Sequence, residues 1–215
     1  MPLIKKEIQS YIDETLPCFG GLLGDVQKRA TDEGIPIIPN ETARFLDTLL
    51  TVHKPRRALE IGCAVGFSAG LICSRLQPGG TLVTIDRYEF MIEQAKRNFE
   101  YLGIADRVTL LEGNAEDILP TLDGGFDFIF IDGAKGQYLT FLDESLRLLE
   151  TGGILVADDI LQYGSVTRDR YDITRRQRST QKRMREFIHR ITNTEGLETS
   201  ILPIGEGLSF SAKLH

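Results

Sequence analysis

The chain has 215 residues, 41% hydrophobic and 26% charged, with a formal net charge of −6, values near the globular norm that exclude a disordered chain or a fibrous repeat. Three cysteines (Cys18, Cys63, Cys73) without a CxxC pair, and three histidines (His53, His189, His215), make a Cys/His zinc site hard to assemble. No apolar run approaches the roughly 20 residues of a membrane span, and the start MPLIKKEIQSYIDETL lacks the apolar core of a signal peptide, so a cytoplasmic protein with no membrane association is expected.

The length suits one domain spanning 1–215. Residues 1–55 read as a helical cover, with helices at 3–16, 22–33 and 40–52 and Asn40 as the N-cap of the last. From Arg57 to Asp158 short apolar runs (ALEI, TLVTI, VTLLE, FDFIFI, GILVA) alternate with amphipathic stretches. That alternation predicts an α/β fold of parallel strands joined by right-handed helical crossovers. A basic insertion leading into a helix follows over 160–190, carrying nine Lys/Arg and three acids between Arg168 and Arg190. The last runs, ETSILPI and GLSFSAKL, flank Gly205-Glu206-Gly207 and predict an antiparallel hairpin.

Ligands of open α/β sheets bind at the carboxyl ends of the strands, and here every such end is acidic: Glu60, Asp86, Glu112, Asp132 and the pair Asp158-Asp159. The turn GCAVGFS departs from GxGxxG because Ala64 stands at the second glycine. By itself such a turn also serves tight strand–helix packing. Asp86 ends the second strand 24 residues after Gly62, where a carboxylate can accept hydrogen bonds from both ribose hydroxyls. A pyrophosphate would be repelled by the other acids, and no GKS/T triplet follows the loop. S-adenosylmethionine carries an ammonium and a sulfonium and no phosphate, so Glu60 and Asp132 would suit it. For Glu60 a capping or salt-bridge role is the alternative.

ALEIGCAVGFSAG, TLVTIDR, LLEGNAED, FDFIFIDGAKGQY, GGILVADDIL and IGEGLSFS resemble the metal-dependent O-methyltransferases related to the catechol and caffeoyl-CoA enzymes. The resemblance implies a Rossmann-like fold with a mostly parallel seven-stranded sheet, an antiparallel C-terminal hairpin and N-terminal helices, and commonly a homodimer. It implies S-adenosylmethionine contacts at Ile38, Glu60, Gly62, Cys63, Ser68, Asp86, Gly113, Ala115 and Asp132. It also implies a divalent cation on Asp132, Asp158 and Asp159, although many relatives carry Asn at the place of Asp159. Hard oxygen donors suit Mg²⁺, Mn²⁺ or Ca²⁺. Lys135 would be the general base; its ordinary pKa of roughly 10.4 needs a neighbouring dication to bring it toward working pH.

The basic segment has two readings. Met184, Phe187, Ile188 and Ile191 supply an apolar stripe for an ordinary docked helix with a solvated basic face. Alternatively Arg168, Arg170, Arg175, Arg176 and Arg178 meet phosphates of an acceptor. With DGAKGQY and the GEG turn, the segment looks most like the bacterial tRNA 5-hydroxyuridine O-methyltransferases, which implies tRNA as partner and 5-methoxyuridine as product. The alternatives are a small-molecule enzyme acting on catechols, flavonoids or caffeoyl-CoA, and a non-catalytic RNA-binding protein.

Overall fold

In the computed structural model, which describes residues 3–169 and 171–215, three helices precede the sheet: α1 (Lys6–Thr15), α2 (Gly21–Asp32) and α3 (Asn40–His53). Strands β1 (Arg57–Ile61), β2 (Thr81–Asp86), β3 (Val108–Glu112), β4 (Phe126–Ile131) and β5 (Leu149–Ala157) alternate with α4 (Phe67–Arg75), α5 (Glu89–Leu102), the single turn α6 (Ala115–Ile118) and α7 (Tyr138–Leu148). After α8 (Arg175–Asn193), β6 (Leu197–Leu202) and β7 (Leu208–Lys213) close the chain. The seven strands lie in the order β3-β2-β1-β4-β5-β7-β6, parallel from β1 to β5, with β7 antiparallel to both β5 and β6. The expected Rossmann-like architecture and reversed C-terminal hairpin are therefore present.

Both faces of the sheet are covered, which is why the central strands read as unbroken apolar runs. In β4, Phe126, Phe128, Ile129, Phe130 and Ile131 are all fully buried. Each phenylalanine contributes roughly 1.5–3 kcal/mol of transfer free energy. Asp127 interrupts the run at the strand's amino end, where its carboxylate accepts from the backbone N–H of Arg56 (2.8 Å) and Arg57 (3.0 Å). One apolar cluster joins Ile129 and Ile131 to α7 and α8; the other joins Phe128 and Phe130 to α3 and α4. The chain leaves β1 toward β2 and β3, then crosses back to β4, so a crevice opens between the carboxyl ends of β1 and β4.

One local expectation is corrected. Pro39, not Asn40, is the N-cap of α3, and no side chain caps that helix. The Asn40 amide instead accepts from Gln27 Nε2 (3.2 Å) and donates toward the carbonyls of Leu16 and Pro17 (both 3.4 Å). That tertiary network outcompetes the local cap. Helix α8 starts with a capping box between Thr174 and Gln177. Among the described residues no helix is long and apolar enough to cross a membrane.

Candidate active site

A cavity of about 550 Å³ lies over the carboxyl ends of β1, β2, β4 and β5. Its floor at one end is the turn after β1. Gly62 has φ +100°, and a Cβ there would stand 1.9 Å from the carbonyl oxygen of Asp132, so the close approach of the β1 and β4 ends admits only glycine. Gly66 (φ +83°) starts α4, where a Cβ would meet the Phe99 ring at 2.6 Å. Asp86 ties this turn down: one carboxylate oxygen accepts from the N–H of Cys63 (3.0 Å) and Ala64 (2.8 Å), the other from Arg87 (2.7 Å) and Tyr88 (3.0 Å). Four backbone donors match the acceptor capacity of a carboxylate. Asp86 thus organises the loop, a role that its position at a strand end did not announce.

Of the residues expected to contact a cofactor, Ile38, Gly62, Cys63, Ser68, Asp86, Gly113, Ala115 and Asp132 all line the cavity. Ile38 belongs to the segment Pro36–Pro39, which roofs it. Glu60 does not line it. Its carboxyl is wholly buried beneath the turn, accepts a hydrogen bond from Thr84 Oγ1 (2.6 Å), and leaves Oε1 without a partner. Burial pushes its pKa up to about 7, against the opposing effect of the neighbouring Ser68 and Thr84 hydroxyls.

The other end of the cavity holds Asp132, Asp158 and Asp159. Burial first, and then the charge of Asp159, raises the Asp132 carboxyl above the usual carboxylate range. Burial and the charges of Asp132 and Asp159 do the same to Asp158. Asp158 Oδ1 accepts from the N–H of Asp159 (2.7 Å), whose backbone is left-handed (φ +61°). Lys135, on a 3₁₀ turn at 135–137, places Nζ 2.5 Å from Asp159 Oδ2 and 3.4 Å from Glu206 Oε2. Burial would lower the lysine pKa, but these two carboxylates outweigh it and hold it above its ordinary value. As placed, among the described residues no three Asp, Glu, His or Cys side chains are arranged to hold a metal ion. Asp159 is turned to Lys135 instead.

Glu206 and Tyr163 also line this end, and sequence reasoning did not assign them. Glu206 stood in the GEG turn, legible only as a hairpin, and Tyr163 in a segment read by its charge. The Tyr163 phenol bonds to Glu206, which with burial pushes its pKa up to about 12.

Of the arginines expected at an acceptor's phosphates, the four among the described residues do not line this cavity. Arg175 and Arg176 are exposed in the first turn of α8, and the Arg178 guanidinium stands 5.7 Å from the Tyr171 ring. Arg168 lends its carbonyl to Gln181 (3.0 Å) and Arg185 (2.7 Å). Arg170 lies outside the described residues. Helix α8 buries Met184, Phe187 and Ile191, so it is a docked helix; of its basic residues Arg175 and Arg176 are exposed, while Arg183 donates to the Gly136 carbonyl (2.9 Å) and Arg185 to those of Val166 and Arg168.

The family model described as O-methyltransferase matches residues 22–214. The chain is 31% identical over 163 residues to the catechol O-methyltransferase of Mycobacterium tuberculosis, covering 74% of each chain. It is 27% identical over 183 residues to a caffeoyl-CoA O-methyltransferase of Populus kitakamiensis, covering 82% of this chain and 78% of that one. In fold it is similar to the O-methyltransferase TomG of Streptomyces achromogenes (TM-score 0.83, 23% identity, 97% and 96% covered) and to the Podospora anserina methyltransferase PaMTH1 (TM-score 0.86, 22% identity, 100% and 98% covered). The two sequence relatives are named for small-molecule acceptors, which overturns the expectation of a tRNA partner. With this match over nearly its whole length, the chain belongs to the S-adenosylmethionine-dependent O-methyltransferases of the catechol and caffeoyl-CoA family.

Proposed function

We propose that this enzyme methylates one of two adjacent oxygens on a small aromatic acceptor of the catechol type, with S-adenosylmethionine seated between the Gly62 turn and Asp86 and the acceptor at the Asp132–Asp158–Asp159 end. The observation that carries this reading is that the Gly62 turn and the acidic cluster share one cavity, with Lys135 outside the lining and paired to Asp159 and Glu206 at its edge. The cofactor's cationic methionine end then meets Asp132, and its adenosine lies toward Asp86, Gly113 and Ala115. Ile38 covers it, while Cys63 and Ser68 complete the wall. Glu60 acts from behind the turn by holding Thr84.

Asp132, Asp158 and Asp159 would hold a divalent cation. Their chemistry fits one: all the donors are oxygen, and two buried carboxyls repel each other and Asp159. When bound, such an ion lowers the pKa of a chelated hydroxyl and fixes its orientation. Drawing Asp159 toward the cluster would release Lys135 from its nearest carboxylate. Lys135 would then stand beside the acceptor oxygen to take its proton.

Incubation with methyl-labelled cofactor, Mg²⁺ and a catechol panel tests the reading. Transfer to a catechol is expected, lost on chelation and restored by Mg²⁺ or Mn²⁺. Transfer undiminished in metal-stripped protein would remove the cation, and no transfer to any vicinal diol would remove the acceptor class.

A further inference from the structure

The β6–β7 turn is fastened on two sides. On one, Gly207 admits no side chain, since a Cβ would lie 2.4 Å from Leu161 Cγ, and its carbonyl accepts from Ile160 N (2.9 Å) while that of Glu206 accepts from Leu161 N (3.0 Å). These bonds lock the turn to the segment that leaves Asp159. On the other side, Gly205 packs on the start of α3, where a Cβ would meet Thr42 Oγ1 at 2.6 Å. The Gly205 N–H donates to Glu41 Oε1 (2.8 Å), while Glu41 Oε2 accepts from Gln9 Nε2 of α1 (2.6 Å). Glu41 therefore links α1, α3 and the turn, one residue from the carboxylate that faces Lys135.

A lysine has a flexible four-carbon stem and a point charge, so one partner does not fix its ammonium in space. Lys135 has two carboxylates from different elements, Asp159 after β5 and Glu206 between β6 and β7. We propose that Glu206 is a positioning residue for methyl transfer, holding Lys135 Nζ at the acceptor end of the cavity, and that Glu41 sets Glu206 in place by clamping Gly205. This rests on the function proposed above, in which Asp159 turns from Lys135 toward a cation and leaves Glu206 as the remaining anchor.

The test combines a double-mutant cycle with NMR of lysine side chains labelled at Cε. Glu206→Ala is expected to lower kcat at least about tenfold, because misplaced groups cost rate steeply, and to leave the S-adenosylmethionine dissociation constant within about twofold. Glu41→Ala should lower kcat less. Glu41→Gln should restore it, since an amide oxygen still accepts from Gly205. The double Glu41→Ala/Glu206→Ala variant should be no worse than Glu206→Ala alone, as for residues acting through one another. Multiplying effects, or an unchanged kcat in Glu206→Ala, would overturn the proposal. In the NMR arm, run with Mg²⁺ present so that Asp159 is drawn from the lysine, the two Lys135 Hε signals should be inequivalent in the wild type and collapse to one in Glu206→Ala. Unchanged signals overturn the positioning role whatever the activity. A wild type that methylates no acceptor but shows the collapse would refute the proposed reaction and leave the positioning intact.

Discussion

Glu60→Gln tests the electrostatics beneath the cofactor turn. The Glu60 carboxyl is fully buried, has one unpartnered oxygen, and titrates near 7 in the folded protein against 4.5 for the free side chain. Its folded pKa is the higher, so the folded state binds more protons between these values and stability falls as pH rises. The contribution is fully present below about 4.5 and is lost progressively by the time pH has passed about 7. A difference of about 2.5 pKa units corresponds to about 3 kcal/mol, of which roughly 2–3 kcal/mol falls between pH 5 and pH 8. Glutamine cannot ionise, so the stability of the variant relative to the wild type should rise by about that amount over the same interval. Urea unfolding of both proteins at pH 5 and 8, without cofactor, measures it. Titration of Asp132 and Asp158 is common to both and largely cancels in the difference. A relative stability independent of pH would refute a neutral, desolvated Glu60.

Two further outcomes follow from the site. Lys135→Ala should reduce kcat with cofactor affinity nearly unchanged, because Nζ contacts Asp159 and Glu206; calorimetry and initial rates separate the two quantities, and weakened cofactor binding at normal turnover would place the lysine on the cofactor instead. Gly62→Ala should destabilise by several kcal/mol or abolish cofactor binding, because its Cβ would overlap the Asp132 carbonyl at a positive φ. A soluble variant with wild-type unfolding midpoint and cofactor affinity would show that the β1 and β4 ends are free to separate.

The alternation of apolar runs and amphipathic stretches was enough to read a parallel α/β sheet with a reversed hairpin, because burial on both faces leaves its mark on every residue of a strand. The acids at the strand ends were equally legible, since strand ends are where such sheets bind ligands. Motif resemblance added the family and the cofactor, while charge misled: the basic segment suggested a tRNA partner, whereas the sequence relatives are named for small-molecule acceptors and α8 docks through Met184, Phe187 and Ile191. Only the tertiary structure decided what each acid does. Asp86 is engaged by four backbone N–H groups of two loops, Glu60 is sealed under the turn, and Asp159 is paired with Lys135. Glu206 joins them because β7 runs antiparallel beside β5 and Glu41 pins the turn from the far end of the chain. Periodicity reports whether a side chain faces core or solvent, a property of one element. Which carboxylate meets which cation depends on distances between elements far apart in sequence, and those are set only when the sheet closes and its helices pack.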